Sequence, residues 1–248
     1  FDEGLLGARV GGLRQIDIPP ALAYGDAGAG DVIPPGATLT FVVEILEVSK
    51  PAPPPTIGPL ADPSECPPTD GSGEQQQEFE AYPPTCIDVD ETYTVEIVTN
   101  FGTIVAELDP GRAPLTVNSF VTLARYRYFD DTECHRAIPG FVVQCGDPTA
   151  TGAGGPGYAI PDELPEAGEY EIGSLAMANA GPNTSGSQFF IITGDRGAQL
   201  PPSYSLFGEV VEGMDVVAAL DAVGNPEDNG VPPLEEILIE SVTVVSGT

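Results

Sequence analysis

Two stretches in the second half of the chain alternate apolar and polar residues with period two. These are YTVEIV (93–98) and GTIVAELD (102–109), joined through TNFG. That period places every second side chain on one buried face, so the pair predicts a β-hairpin. The next stretch, APLTVNSFVTLARYRYF (113–129), changes period. Val117, Phe120, Val121 and Leu123 recur at helical spacing, and Pro114 stands at the start, where a missing N–H leaves no helical bond unmade. FVVQCGD, SLAMANA, SQFFIIT and SLFGEV follow as short strand candidates separated by glycine-rich loops. GMDVVAALDAV predicts a second helix and EEILIESVTVV a closing strand. Six to eight strands with two helices predict a mostly β fold, a closed β-barrel capped by helices.

The first 50 residues read as a strand remnant, a short helix and two further strands. LRQIDIPP and TLTFVVEILEVS carry the strand alternation, with the glycine- and proline-rich AYGDAGAGDVIPPGA between them. Fifty residues are too few for an independent core without staples, so this part is expected to need sequence upstream of Phe1. Residues 51–90 are rich in Pro, Ser, Glu and Gln and hold few apolar residues, which predicts a semi-stiff, extended linker. The expected domains are therefore 1–50, 51–90 and 91–248. The start at Phe1, with no secretory leader pattern, is expected of a fragment or processed product.

Composition narrows the partners. The 248 residues carry 38 acidic and 8 basic side chains, a formal net charge of −30 spread over all three parts. Nucleic acid and anionic membranes need a basic face, so neither is an expected partner. No apolar run approaches the roughly 20 residues of a membrane span. No Cys/His metal spacing or calcium-loop spacing is present, so no metal or other cofactor is expected. A monomer is expected.

The segments HRAIPGFVVQCGD (135–147) and SLAMANAGPNTSGSQFFI (174–191) carry the candidate chemistry. With the early NFG hairpin, the GDPTATGAGGPGY loop and LFGEVVEGMDVV, they closely resemble the cyclophilins over about residues 92–246. The resemblance implies an eight-stranded closed barrel with two capping helices. It also implies peptidyl-prolyl cis–trans isomerase activity on proline-containing polypeptides, in the service of protein folding. Such a reaction breaks no bond. Amide resonance sets a barrier of about 18–20 kcal/mol, and X–Pro bonds exchange in tens to hundreds of seconds. A fixed donor to the twisted amide and an apolar slot for the proline ring are sufficient.

By this resemblance Arg136 is the main catalytic group, with His135, Phe141 and Gln144 beside it. Val142, Phe190 and Leu200 line the proline pocket with Phe141. Gln188 orients the peptide backbone with Gln144, while Ala178, Asn179 and Ala180 form the strip on which substrate lies. Val142 stands where methionine is common, Gln199 replaces a tryptophan important for cyclosporin binding, and Tyr204 replaces a histidine at the pocket. The rival reading is a non-catalytic module that grips prolyl segments without turnover.

A second resemblance covers residues 1–49. EGL, VGG, IPP, AYG and VIPPGATLTFVVE are similar to the C-terminal half of an FKBP-type prolyl isomerase, an α+β half-domain. Phe1, Tyr24, Val32, Ile33 and Phe41 match its pocket positions. The missing strands imply that this half site is not competent alone.

Four cysteines form two sequence-local pairs, Cys66 with Cys86 and Cys134 with Cys145, the second flanking HRAIPGFVVQ. Two disulfides, or four unpaired thiols, are both compatible with the spacing. An even count, one lysine and the acidic linker favour an oxidising, extracytoplasmic or secreted setting and a bacterial source.

Overall fold

The computed structural model describes residues 2–5, 7–23, 25, 33–45 and 57–246. The chain forms two compact units, residues 1–53 and 54–248.

In the first unit, helix α1 (Asp2–Leu5) precedes strand β1 (Leu13–Ile18) and strand β2 (Leu39–Glu44). The two strands pair antiparallel, with Ile16 opposite Phe41 and Ile18 opposite Leu39. The unit thus opens on a helical turn, where a strand remnant was expected. Ile16 and Ile18 are its buried apolar residues among those described, while Leu13, Leu22 and Val42 are well exposed. Of the expected FKBP-like pocket, Phe1, Tyr24 and Val32 lie outside the described residues; Ile33 is half-buried and Phe41 lies on β2.

The second unit is built on one antiparallel sheet. Its strands are β3 (Tyr93–Thr99), β4 (Gly102–Leu108), β5 (Thr132–Glu133), β6 (Arg136–Ile138), β7 (Val142–Cys145), β8 (Ser174–Met177), β9 (Phe189–Ile192), β10 (Leu206–Glu212) and β11 (Leu238–Ser246). Their order is β5-β11-β3-β4-β10-β8-β9-β7-β6. Helices α2 (Pro114–Arg125), α3 (Asp195–Ala198) and α4 (Met214–Ala222) complete it. The expected closed barrel of eight strands with two helices is corrected on three counts. Among the described residues of this unit there are nine strands and three helices, and no ladder joins the end strands β5 and β6. Those two are successive in sequence, so only Cys134 and His135 bridge them. The chain turns there because the Cys134 N–H is committed to Ile237 O on the β11 side (2.9 Å).

The alternation in β3 and β4 resolves as expected: Tyr93, Val95, Ile97, Ile104, Ala106 and Leu108 all face the core. They pack with Val117, Phe120, Leu123, Phe129, Phe189 and Phe207. Phe120 meets Phe129, Phe189 and Phe207 at ring distances of 4.9–5.3 Å, within the favourable range for aromatic pairs.

Helix α2 is buried on every side from Thr116 to Arg125. Residues 57–90 are the reason, and they do not behave as an extended spacer. Tyr82 donates to Leu115 O (2.8 Å), Asn118 donates to Pro84 O (3.0 Å), and Cys86 N–H donates to Asn118 Oδ1 (2.7 Å). Ile57 and Phe79 pack against the core and Ile87 joins it. The Cys66–Cys86 disulfide closes the segment. Few apolar residues suffice here because the segment lies on a surface already formed and its own loop is shortened by a covalent bond. The Cys134–Cys145 disulfide is present too, so both expected pairs form.

The start of α2 has no side-chain cap of its own, since Ala113 holds the N-cap position. Glu163 caps it from 47 or 48 residues away, accepting from Leu115 N–H (2.9 Å) and Thr116 N–H (2.8 Å). A carboxylate there satisfies two orphan donors and opposes the positive end of the helix dipole.

Candidate active site

Strands β7, β8 and β9 carry apolar residues on both faces. Val143, Cys145, Leu175, Met177, Phe189 and Ile191 point into the main core. Their neighbours Val142, Ala176, Phe190 and Ile192 point outward and form a second cluster with Tyr170 and Leu206. On this outer cluster lies a cleft of about 110 Å³ lined by Arg136, Phe141, Val142, Gln144, Ala178, Asn179, Phe190, Leu200 and Tyr204. The structure therefore brings nine of the expected site residues together.

The cleft's floor is rigid for local reasons. Val142 and Phe190 are almost fully buried. The Phe190 ring meets the Tyr204 ring edge-on at 5.3 Å. Tyr204 is held in turn by Tyr170, whose hydroxyl donates to Tyr204 O (2.6 Å) and accepts from Tyr204 N–H (3.0 Å). The β6–β7 turn is fixed by Asp221, which accepts from Gly140 N–H (2.7 Å) and Thr193 Oγ1 (2.5 Å). Gly140 sits at φ 68°, a left-handed conformation that glycine adopts without penalty.

Arg136 and Gln144 are cross-strand partners on β6 and β7, so both side chains emerge on the cleft face. Arg136 Nη1 donates to Gln144 Oε1 at 3.0 Å, and Gln144 Nε2 donates to Gln188 Oε1 at 2.9 Å. Gln188 Nε2 donates to Gly154 O at 2.9 Å. Burial pulls the Arg136 guanidinium below its ordinary value and nearby Tyr204 opposes this. It stays charged at neutral pH all the same. Arg136 and Arg196 both approach the Phe141 ring, at 5.9 and 5.4 Å from its centroid.

Gly154 is held by Asp147, a fully buried carboxylate. It accepts from the N–H groups of Thr149 (2.8 Å), Thr151 (3.1 Å), Gly152 (2.7 Å) and Gly154 (3.0 Å). Burial alone would raise its pKa, but the bonds from Thr149, Gly154 and Gly152 outweigh it and hold it below the usual range.

Three expected residues lie elsewhere. Gln188 and Ala180 line a neighbouring cavity of about 830 Å³, bounded by residues 152–159 and 178–180 and sharing Gln144, Ala178 and Asn179 with the cleft. His135 is buried beside the 147–154 loop and does not line the cleft. Burial depresses its pKa, with Asp147 pushing up and Arg136 down. Asn179 spends its side chain on Ser203 O (2.8 Å) and Gly181 N–H (3.2 Å). Its own N–H and C=O make no hydrogen bond among the described residues, so the main chain is what this residue offers to a ligand. Asp147, Glu163, Asp221 and Asn229 were not singled out in the sequence. Glu163, Asp221 and Asn229 act on partners far away in the chain, and a polar residue that opens a glycine-rich stretch, as Asp147 does, signals only a turn.

An open-ended antiparallel half-barrel carrying an arginine and a glutamine over an apolar cleft defines a class already suggested by the motifs. A family model for cyclophilin-type peptidyl-prolyl cis-trans isomerases matches residues 94–244, and the chain belongs to this family. Among curated relatives, probable peptidyl-prolyl cis-trans isomerase B of Mycobacterium leprae is 40% identical over 171 residues, covering 61% of this chain and 56% of its own length. The corresponding protein of Mycobacterium tuberculosis is 41% identical over 168 residues, covering 60% and 53%. This chain thus spans about half the length of these relatives. Peptidyl-prolyl cis-trans isomerase B of Streptomyces anulatus is 44% identical over 165 residues, covering 59% of this chain and 93% of that protein. A Cryptosporidium parvum cyclophilin-type isomerase, crystallised in the presence of the dipeptide Ala-Pro, matches with a TM-score of 0.57 at 36% identity, covering 62% of this chain and 99% of its own. A second family model, for FKBP-type peptidyl-prolyl cis-trans isomerases, matches residues 1–46.

Proposed function

We propose that this chain catalyses cis–trans isomerisation of X–Pro bonds in polypeptides, with the reaction in the Arg136 cleft. The observation that carries this reading is a half-buried, permanently charged guanidinium tethered to Gln144 at the mouth of a cleft floored by Phe141, Val142, Phe190 and Leu200. The proline ring enters the apolar floor. The substrate backbone lies along Ala178, Asn179 and Ala180, with Asn179 N–H and C=O as its partners. As the amide twists, resonance is lost and the prolyl nitrogen becomes a better acceptor. Arg136 donates to that nitrogen and the adjoining carbonyl more strongly in the twisted state than in either planar one, which is the condition for lowering the barrier. His135, buried and uncharged at neutral pH, supports the loop behind Gln144 and is not assigned a proton transfer.

We assign residues 1–49 to an FKBP-like half-domain without a complete prolyl site of its own, on the strength of the family match and the β1–β2 hairpin. The two disulfides, which use every cysteine, support an oxidising, extracytoplasmic site of action, where the enzyme would assist folding of client chains.

The test is Arg136→Ala in a protease-coupled assay on an X–Pro peptide. A drop of at least about tenfold in kcat/KM with an unchanged thermal midpoint is expected, in line with loss of one transition-state donor. Undiminished turnover would overturn the mechanism. Peptide binding by the unaltered chain with no rate enhancement would favour the binding-module reading.

A further inference from the structure

Arg136 is held from two sides, and only one of them was legible in the motifs. Its Nη1 reaches Gln144 on the neighbouring strand. Its other edge is gripped by a single residue 93 positions away. Nε donates to the main-chain oxygen of Asn229 (2.9 Å) and Nη2 to Asn229 Oδ1 (3.0 Å). One residue thus takes the Nε/Nη2 fork with two acceptors, as a carboxylate would, but without a negative charge.

That grip depends on an uncommon backbone. Asp228, Asn229 and Gly230 have φ of 49°, 57° and 81° in succession. Asn tolerates the left-handed region because its short side chain bonds locally. The turn is anchored to β6. Asn225 N–H donates to Ala137 O (2.9 Å), and Glu227 N–H to Asn225 Oδ1 (2.9 Å). Gly230 is buried so closely against Ala137 and Ile138 that a side chain there would have no room. Asn229 is therefore fixed relative to the strand that carries Arg136.

Counting donors gives the consequence. A guanidinium has five N–H bonds. Three are spent, two on Asn229 and one on Gln144. Two remain, one on Nη1 and one on Nη2, both unoccupied among the described residues. We propose that Asn229 is a positioning residue for the isomerase reaction: it clamps the rear edge of Arg136 so that its two remaining donors face the twisted prolyl amide. The neutral clamp leaves the cation's charge undiluted. An Asp at this position would also grip the fork, at the cost of placing a negative charge there. This rests on the reading of Arg136 as the catalytic donor.

The test is a double-mutant cycle on the full chain, read as kcat/KM on an X–Pro peptide with the thermal midpoint measured for every variant. Asn229→Gly keeps the main-chain acceptor and the left-handed backbone while removing Oδ1. It should lower kcat/KM by about three- to tenfold, the range for one charge-assisted hydrogen bond lost from an oriented group. Asn229→Asp restores the acceptor and should return activity to within about threefold of the original. In an Arg136→Ala background, Asn229→Gly should cause no further loss, because there is nothing left to position. An Asn229→Gly variant as active as the original would overturn the proposal. So would an equal loss in the Arg136→Ala background, which would mark a structural role. If Arg136→Ala alone is fully active, the catalytic reading has failed first, and the two failures are told apart.

Discussion

The two compact units carry prolyl-isomerase resemblances of the same kind and differ in how much they enclose. The second has a nine-stranded sheet wrapped on a core that includes Phe120, Phe129, Phe189 and Phe207, with α2 covered on both sides. The first has a two-stranded sheet on which Ile16 and Ile18 are the buried apolar residues among those described. An isolated pair of strands is marginal in water, because one sheet face has nothing to bury against. The lesson is that matching a family's motifs and enclosing a core are separate properties of a segment. In the second unit the Arg136 cleft is backed by its own cluster of Val142, Ala176, Phe190 and Ile192. The geometry of the cleft there rests on packing.

That contrast can be broken most sharply by matched core truncations. Phe120→Ala should destabilise the second unit by about 3–5 kcal/mol, the usual cost of emptying a buried aromatic site. Ile16→Ala should leave the same unfolding transition within about 0.5 kcal/mol, as expected of independent regions. Denaturant titration followed by tyrosine fluorescence reads both. Equal shifts would mean that the two units fold as one.

Next in size is the covering segment. Replacing Cys66 and Cys86 together by serine frees a loop closed across 20 positions. The second unit should lose about 3 kcal/mol, by the chain-entropy estimate. Arg136-dependent turnover below the melting range should persist. No change in stability would return residues 57–90 to the status of a spacer.

The smallest effect is in pH. His135 has its folded pKa depressed, chiefly by burial. The unfolded chain therefore binds a proton more readily than the folded one. The stabilising contribution is complete above the ordinary histidine value of about 6.5 and is lost as pH falls through the lower folded value. His135→Gln should flatten the stability profile over that interval. A profile that stays as steep would assign the loss to other groups.

Much of the second unit was legible because its signals are local. Period two in YTVEIV and GTIVAELD and helical spacing after Pro114 each name an element without help from elsewhere. The site motifs HRAIPGFVVQCGD and SQFFI named the cleft residues by resemblance alone. Physical reading could not have separated Phe189 from Phe190, since FFII is apolar throughout and only the register shows which ring faces the core. The covering role of residues 57–90 was hidden for the opposite reason. Their composition argues for extension, and the surface that orders them belongs to α2.

By itself the sequence determined most strands and the two longer helices of the second unit, named the cation and its neighbours by resemblance, and left the four cysteines as two local pairs or free thiols. The elements depend on spacings of a few residues, which the backbone's two periods convert directly into faces. Only the tertiary structure decided what grips across long separations. Glu163 capping α2, Asp221 fixing the β6–β7 turn, and Asn229 clamping Arg136 each join groups that no local period relates. A hydrogen bond needs placement within a few tenths of an ångström, and for distant residues only the packed core supplies it.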